Sequence, residues 1–300
     1  MTQGRTTAQW WSKARVRYAF VLPAVLGIAV VIAFPLAFSF YISFRNYIVS
    51  LGGIGEFVGL DNYRYAFTQD LTLSATKNTL VLTFWVVLLE FLIAFGLALL
   101  LNRRGLKFKG IYLSILMIPM FMPPIAVGLI WRLLLHPELG IINYALGALG
   151  LPQPAWLANT RLAMVTIIMV DIWHETQLLL TILLAGLTAL PDEPYEAALV
   201  DGANSFQAFR HVTVPLMMPT IVITILIRLI AALKTYDLVY ILTRGGPGTA
   251  TETISYYIYR VAFVFLDMGK SAAMSFTLLI VIIALTLLFI RTTERAAQQG

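Results

Sequence analysis

The sequence predicts an all-α, polytopic membrane protein with six transmembrane helices, and three observations carry that expectation. Hydrophobic residues fill 59% of the 300 positions and charged residues only 12%, against about 25% charged in an ordinary soluble domain. The mean hydropathy is +0.83. Six apolar stretches of at least 19 residues follow one another along the chain, each near the roughly 20 residues that a bilayer core requires. So little charge cannot cover a surface that faces water all round. A soluble enzyme, a nucleic-acid binder and a disordered scaffold are therefore excluded as classes.

Each element follows in order. Residues 1–17 form a tail with Arg5, Lys13, Arg15 and Arg17. The first span, Phe20–Phe40, lies within residues 18–41. Its apolar run exceeds the 7–15 residues of a signal-peptide core, and no small-residue cleavage site is evident, so it reads as a retained span. Residues 42–77 form a loop with the Gly-rich piece Leu51-Gly52-Gly53-Ile54-Gly55. Residues 78–290 hold the other five spans: Leu80–Leu101, Ile111–Leu135, Leu162–Leu187, Val214–Leu233 and Ala272–Ile290. Residues 291–300 are a second tail. The spans are read as helices because lipid offers no partner to free backbone groups, and none shows barrel-type alternation. Pro119, Pro123 and Pro124 break the third span, since proline removes a ladder donor. The connection 136–161 carries Tyr144 and Trp156, suited to a membrane surface. The connection 235–271 contains the turn Arg244-Gly245-Gly246-Pro247-Gly248. No internal repeat is visible, and no second span has a matching proline cluster, as an inverted-repeat carrier would show.

The basic residues orient the chain. The first tail and the loop 102–110, with Arg103, Arg104, Lys107 and Lys109, hold four Lys or Arg each. With Arg210, Arg291 and Arg295 they make eleven on one side, against seven on the other. This places both termini in the cytoplasm and residues 42–77 outside it. The net charge of +6 reflects these anchors at a lipid bilayer and gives no reason to expect nucleic acid as a partner. The absence of cysteine excludes disulfides, thiolate metal sites and a cysteine nucleophile. His136, His174 and His211 are far apart in sequence, so no metal site is expected, and no catalytic residue is assigned.

The most informative segment lies between the fourth and fifth spans. Residues 191–219 place Asp192, Glu193, Glu196 and Asp201 between two apolar spans. Pro191 and Pro194 can open a helix, Ala197 and Ala198 favour one, and Gly202 can end it in a left-handed conformation. Phe206–His211 can add a second helical turn before Pro215 and Pro219. A short helix–turn–helix results. Its two alanines leave a flat patch, Glu196 offers a charge to a partner's arginine, and Phe206 and Phe209 supply an apolar edge. An ordinary solvated helical loop would have the same composition, so composition alone leaves both docking and solvation open.

Charges inside spans usually face a cavity or a partner, which makes Glu90, Asp171, His174, Glu175 and Arg228 candidates for a translocation path. Asp171, His174 and Glu175 share one helix face, while Trp173 and Gln177 share a neighbouring stripe. Planar polar groups beside aromatic faces suit a sugar. Pairing of His174 with Glu175 at an interface is the alternative. Tyr236, Asp237 and Tyr240 form a second group, although Asp237 could instead cap a helix or pair with Lys234. Arg228 and Lys234 would favour an anionic sugar derivative.

Glu196-Ala197-Ala198, then Gly202, Val212 and Pro215, resemble the EAA loop of binding-protein-dependent ABC importer permeases of the carbohydrate-transporting, maltose and glycerol-3-phosphate type. The resemblance extends over roughly residues 18–290. It includes Val58-Gly59-Leu60-Asp61-Asn62-Tyr63, Ile118-Pro119, Ile130-Trp131-Arg132, Gly140-Ile141-Ile142-Asn143, Ala185-Gly186-Leu187 and Tyr236–Thr243 running into Gly245-Gly246-Pro247. Similar permeases place Thr-Pro after the fourth-span tryptophan, where this chain has Thr176-Gln177. The resemblance implies a type I importer permease with a cytoplasmic coupling helix in an EAA loop at 191–215. Glu196, Ala197, Ala198, Asp201, Gly202, Phe206, Phe209 and Pro215 would then engage an ATPase. It implies a second homologous permease, two cytoplasmic ATPase subunits and an extracytoplasmic solute-binding protein. The implied substrate is a sugar, with a polyol or a phosphorylated or sulfonated glycoside as the alternative. The chain has no G-x-x-x-x-G-K-[ST] loop, so ATP and Mg would be bound by the partner ATPase and no cofactor by this chain. An ion-coupled carrier using Asp171, His174 and Glu175 as a proton relay would have no ATPase to dock. An intramembrane enzyme would need a catalytic pattern that the sequence does not show.

Overall fold

The computed structural model describes residues 7–103 and 105–298, with side chains over 18–103 and 105–291. Arg5 and Arg104, two of the expected anchors, lie outside the described residues, as do the side chains of Lys13, Arg15, Arg17 and Arg295. In chain order, α1 (Thr7–Ile28) passes through a π turn (Ala29–Ala33) into α2 (Phe34–Ser43), followed by the strands β1 (Arg45–Ile48) and β2 (Gly53–Phe57). Then come α3 (Asp61–Thr68), α4 (Asp70–Leu101), α5 (Lys109–Met117), a 3-10 turn (Ile118–Phe121), α6 (Pro124–Leu134), α7 (Ile141–Ala148) and α8 (Leu162–Thr188). The chain continues through α9 (Glu193–Val200), α10 (Ser205–Ala208), a π turn (Phe209–Thr213), α11 (Val214–Leu233), α12 (Asp237–Leu242), α13 (Ile254–Phe263) and α14 (Met268–Gln298). Two compact units result, Met1–Ala66 with Val261–Thr277, and Phe67–Arg260 with Leu278–Gly300.

In the first unit, Tyr18–Ser43 is a 26-residue apolar segment with none of its most apolar window buried. Its π turn precedes Pro35, whose missing N–H leaves the carbonyl one turn earlier without its usual donor. β1 and β2 pair antiparallel, with Tyr47 opposite Ile54 and Ile48 opposite Gly53. Asn62 pins this hairpin to the end of α2. Its buried Nδ2 donates to Ser43 O at 2.9 Å and Arg45 O at 2.8 Å.

The second unit is built on α4 and α8, with α11 against both. Two apolar clusters stack along this bundle. One gathers Leu82, Val86, Val127, Ile167, Val170 and Val239. The other gathers Ala94, Ala98, Leu180, Leu183, Leu187 and Met217. Small residues let the helices approach closely. A methyl group at Gly186 would come within 2.7 Å of Thr220 on α11, and one at Gly128 within 2.7 Å of Ile241 on α12.

Among the described residues, five helices are long and apolar enough to cross a membrane, and a sixth span requires counting a bent pair as one. That pair is the expected Ile111–Leu135 span. It is not straight: Lys109–Phe121 and Pro124–Leu134 meet at 96°. Pro119 and the consecutive Pro123 and Pro124 explain the break, because each withholds a donor from the helix ladder and biases the residue before it away from helix. The second span also differs from expectation. Its helix starts at Asp70 rather than near Leu80, so the end of the expected 42–77 loop is helical.

Candidate functional site: an ionic cluster and an exposed elbow

The segment around residue 200 forms the expected short helix–turn–helix. Pro194 lies in the first turn of α9, where its missing N–H costs nothing. Gly202 adopts φ 76°, and Ala203 N–H donates to Ala198 O at 2.9 Å, closing the helix with a Schellman turn. Asn204 and Gln207 then form a reciprocal capping box, with N–H to side-chain oxygen distances of 2.8 and 2.9 Å. Tyr195 donates its hydroxyl to Thr213 Oγ1 at 3.0 Å, which ties α9 to the head of α11. Glu196, Ala197, Asp201, Gly202 and Pro215 are exposed or partly so, and Ala198 is half-buried. Leu199 and Val200 are 75% and 88% exposed. A cleft of about 460 Å³ lies between this elbow and the ends of α4 and α8, lined in part by Arg103, Asp192, Tyr195 and Glu196.

The expected apolar edge of Phe206 and Phe209 does not form. Phe206 is exposed, but Phe209 turns inward, with its ring 5.9 Å from Phe95. The backbone between them stays α-helical, with Phe209 N–H bonded to Ser205 O, and the π turn begins only at Phe209. The two rings differ because Phe209 packs against the second apolar cluster while Phe206 faces away from it. Leu199 and Val200, which sequence spacing did not single out, supply the exposed apolar surface instead.

Deep in the second unit, the charged residues of three helices converge. Arg228 on α11 bridges Glu90 on α4 and Asp171 on α8. Its Nη2 donates to Glu90 Oε1 at 2.8 Å, Nε donates to Glu90 Oε2, and Nη2 also reaches Asp171 Oδ2. Glu90, Asp171 and Arg228 are 0%, 4% and 2% exposed, so their desolvation has to be offset by these mutual contacts. Glu90 falls between the two apolar clusters of α4. The expectation that Arg228 offers itself to an anionic solute is corrected by this geometry, since its guanidinium fork is occupied by the two carboxyl groups.

One turn along α8, the buried His174 lies 3.0 Å from Met122 O through Nε2 and 3.0 Å from Glu175 Oε1 through Nδ1. A carbonyl can only accept, so Nε2 carries a proton, and a second proton lies between Nδ1 and the carboxylate. Met122 sits at the break between the 3-10 turn and α6. His174 thus satisfies a backbone carbonyl that the broken helix cannot. Of the two alternatives open from the sequence, the pairing of His174 with Glu175 is present, but within the chain, and Glu175 stays half-buried. Gln177 is buried and donates to Trp173 O at 2.7 Å, while its Oε1 has no partner among the described residues.

Aromatic rings surround this region. Trp131 and Trp173 meet edge to face at 5.6 Å. Tyr236 and Tyr240 stack at 5.5 Å, and Tyr256 and Tyr259, unexpected from sequence because they lie on α13, join them at 5.1–6.2 Å. Both aromatic groups pack against the same apolar cluster. Asp237 is the first residue of α12 rather than its cap, and it makes no ion pair with Lys234 among the described residues. Among the described residues no group of three or more His, Cys, Asp or Glu could hold a metal ion.

Comparison with known proteins places this architecture. The chain is 32% identical over 97% of its length to the trehalose/maltose transport system permease protein MalF of Thermococcus litoralis, covering 98% of that protein. It is 35% identical over 91% of its length to the sulfoquinovosyl glycerol transport system permease protein SmoG of Agrobacterium fabrum, covering 89% of it. A crystal structure of a bacterial ABC transporter involved in the import of the acidic polysaccharide alginate shares the fold, with TM-score 0.84 and 24% identity, covering 96% of this chain and 99% of that one. The family model for the binding-protein-dependent transport system inner membrane component matches residues 90–295. With its broken third span, its bundle of α4, α8 and α11 and its protruding elbow, the chain belongs to that family and is a multi-pass ABC importer permease of the inner membrane.

Proposed function

We propose that this permease forms one half of the path by which a sugar or sugar derivative enters the cell. A second, similar permease supplies the other half, and an extracytoplasmic binding protein delivers the solute. Two cytoplasmic ATPase subunits bind ATP and Mg and drive transport, while this chain carries no catalytic group. In this reading both termini are cytoplasmic, and α9 with its following turn is the docking helix. The observation that carries the reading is the elbow itself. Glu196, Ala197, Leu199 and Val200 are exposed on a short helix that ends in a Schellman turn and is tied to α11 through Tyr195. An exposed apolar patch next to a carboxylate is the surface a partner's groove and arginine would cover.

The path itself runs past Trp173, His174, Glu175 and Gln177, with Tyr236, Asp237 and Tyr240 as the second group. Aromatic faces and planar polar groups suit a polyhydroxylated ring, and the unpartnered Gln177 Oε1 is an acceptor suited to a hydroxyl donor. The named relatives transport solutes of different charge, so relatedness supports the sugar class and leaves its charge open. Because the chain has no cysteine, the docking helix can be tested with a single thiol. Ala197→Cys in the assembled complex is expected to cross-link to an ATPase subunit, and binding protein loaded from a panel of sugars is expected to stimulate ATP hydrolysis. Labelling of the introduced thiol by an impermeant reagent added from outside the cell would overturn the reading.

A further inference from the structure

The short hairpin of the first unit is fixed at both ends of β1 to the start of a span. β1 begins just after the apolar segment Tyr18–Ser43, with only Phe44 between them. There its backbone lies directly on the first turn of α14, since a Cβ on Gly269 would run into Arg45 O. At its far end Ile48 bridges to Asp267, and Val49 N–H donates to Leu266 O at 2.9 Å. All of β1 therefore stays within the height of residues 266–269, where the span Met268–Arg291 begins. The hairpin runs along the bilayer surface instead of rising from it. Its side chains are largely apolar. Leu51 and Phe57 are 77% and 69% exposed, and Val49, Ile54 and Val264 are exposed too. Water is a poor neighbour for such a patch. The backbone limits how deep it can go. Among the described residues β2 is paired on one edge only, and unpaired backbone groups do not enter hydrocarbon. Apolar side chains and a wet backbone are satisfied together at the level of the lipid headgroups. The cations fit the same level. Arg45 lies over the Tyr41 ring at 4.7 Å and donates from Nη1 to Gly55 O at 3.1 Å, and Lys270 Nζ lies over the Tyr65 ring at 4.9 Å. Cationic stems against aromatic faces suit a membrane–water boundary.

We propose that the β1–β2 hairpin is a lipid-binding foot, lying in the membrane–water boundary with Leu51, Ile54 and Phe57 among the headgroups and upper acyl chains. It sets the depth at which the first span ends. Only the spans are needed for this, so it is independent of the solute path and of the docking helix. The test uses the assembled complex in lipid nanodiscs, with this chain carrying the one reactive thiol. Leu51→Cys and Val264→Cys, both exposed positions on separate segments, are each labelled with a small fluorophore. Quenching is measured with lipids that carry a nitroxide either near the headgroup or at the end of the acyl chain, and with aqueous iodide. The headgroup-proximal nitroxide is expected to quench both labels at least about twice as strongly as the chain-end one, because an interfacial segment buries its apolar face only about 5–10 Å deep. Iodide should quench both less than it quenches the same dye on free cysteine. Full iodide quenching without quenching by either lipid would place the hairpin in water and overturn the proposal. Stronger quenching by the chain-end nitroxide would place it inside the hydrocarbon, and quenching by neither lipid nor iodide would mean that another protein chain covers it. Either result would overturn the lipid foot equally.

Discussion

Arg228 Nη2 donates to Glu90 Oε1 at 2.8 Å, joining α11 to α4 across 138 residues of sequence. The same guanidinium reaches Asp171 on α8, so a single side chain links the three helices that form the core of the second unit. Placing three ionisable groups between two apolar clusters is not the cheapest way to pack helices, since apolar residues of the same volume often serve as well or better. What the arrangement does enforce is register. Only one rotation of each helix brings all three groups together, and any slip strands a charge.

Replacing Arg228 by Met should destabilise the permease by about 3–5 kcal/mol, because two buried carboxyl groups lose their counter-charge. Arg228→Lys should cost less but still measurably, since an ammonium cannot reproduce the forked contact with Glu90. Thermal unfolding of the purified complex in one detergent gives the comparison. Equal melting temperatures for the wild type and Arg228→Met would show that the carboxyls do not depend on the guanidinium.

Gly128→Ala should be more damaging than its single methyl suggests. The new Cβ would lie 2.7 Å from Ile241 Cγ2 and 2.9 Å from Ile241 Cβ. A β-branched side chain cannot swing its own Cβ away, so α6 and α12 must separate. A cost of about 1–3 kcal/mol follows from overpacking. Truncating Ile241 to Ala in the same chain should recover part of it by removing the Cγ2 contact. A double variant no more stable than Gly128→Ala alone would mean that this contact is not what limits the site.

If the elbow docks as proposed, Glu196→Lys should reverse the charge it offers to an ATPase subunit. Uptake should fall at least about tenfold while ATP hydrolysis persists, a loss on the scale of one charge-assisted hydrogen bond, roughly 1.5–3 kcal/mol. Gly202 separates backbone from surface effects. Nothing lies within 4 Å of a Cβ built there, but φ is +76°. Gly202→Asn, which tolerates the left-handed region, should retain coupling, and Gly202→Val should lose it. Uptake per ATP hydrolysed in proteoliposomes reads all three, and equal ratios would remove the elbow from the coupling path.

The elbow was legible because its signals are local. Pro194, the two alanines and Gly202 specify a start, a body and an end without reference to anything distant. The apolar spans were legible for the same reason, and the prolines marked the place where the third one breaks. The inward turn of Phe209 was not, because which ring of the pair meets Phe95 depends on how the elbow packs against α4 and not on their spacing. Nor was the bridge from Arg228 to Glu90. Each charge was visible as an anomaly within its span, but which anomalies meet depends on helix packing, and without that packing Arg228 looks free for a ligand. Tyr256 and Tyr259 escaped notice because their partners Tyr236 and Tyr240 lie outside their helix.

The motif Gly140-Ile141-Ile142-Asn143 shows what a resemblance can conceal and a structure explain. Asn143 is 2% exposed. Its Nδ2 donates to Pro137 O and Pro154 O, both at 3.2 Å, and its Oδ1 accepts from Trp156 Nε1 at 2.8 Å. One amide therefore fastens both ends of the 137–156 connection and seats the tryptophan expected at the membrane surface. Asn143→Leu matches the volume closely but orphans an indole N–H, at about 1–3 kcal/mol for each buried group left unpaired. Limited proteolysis should then cut between residues 137 and 156 at least several times faster than in the wild type, while the α4, α8 and α11 bundle remains intact. Asn143→Asp keeps the acceptor for Trp156 but loses both donors, so it should cleave at an intermediate rate if the indole contact contributes independently. Identical cleavage of the two variants would assign the loop's order to the two proline carbonyls alone.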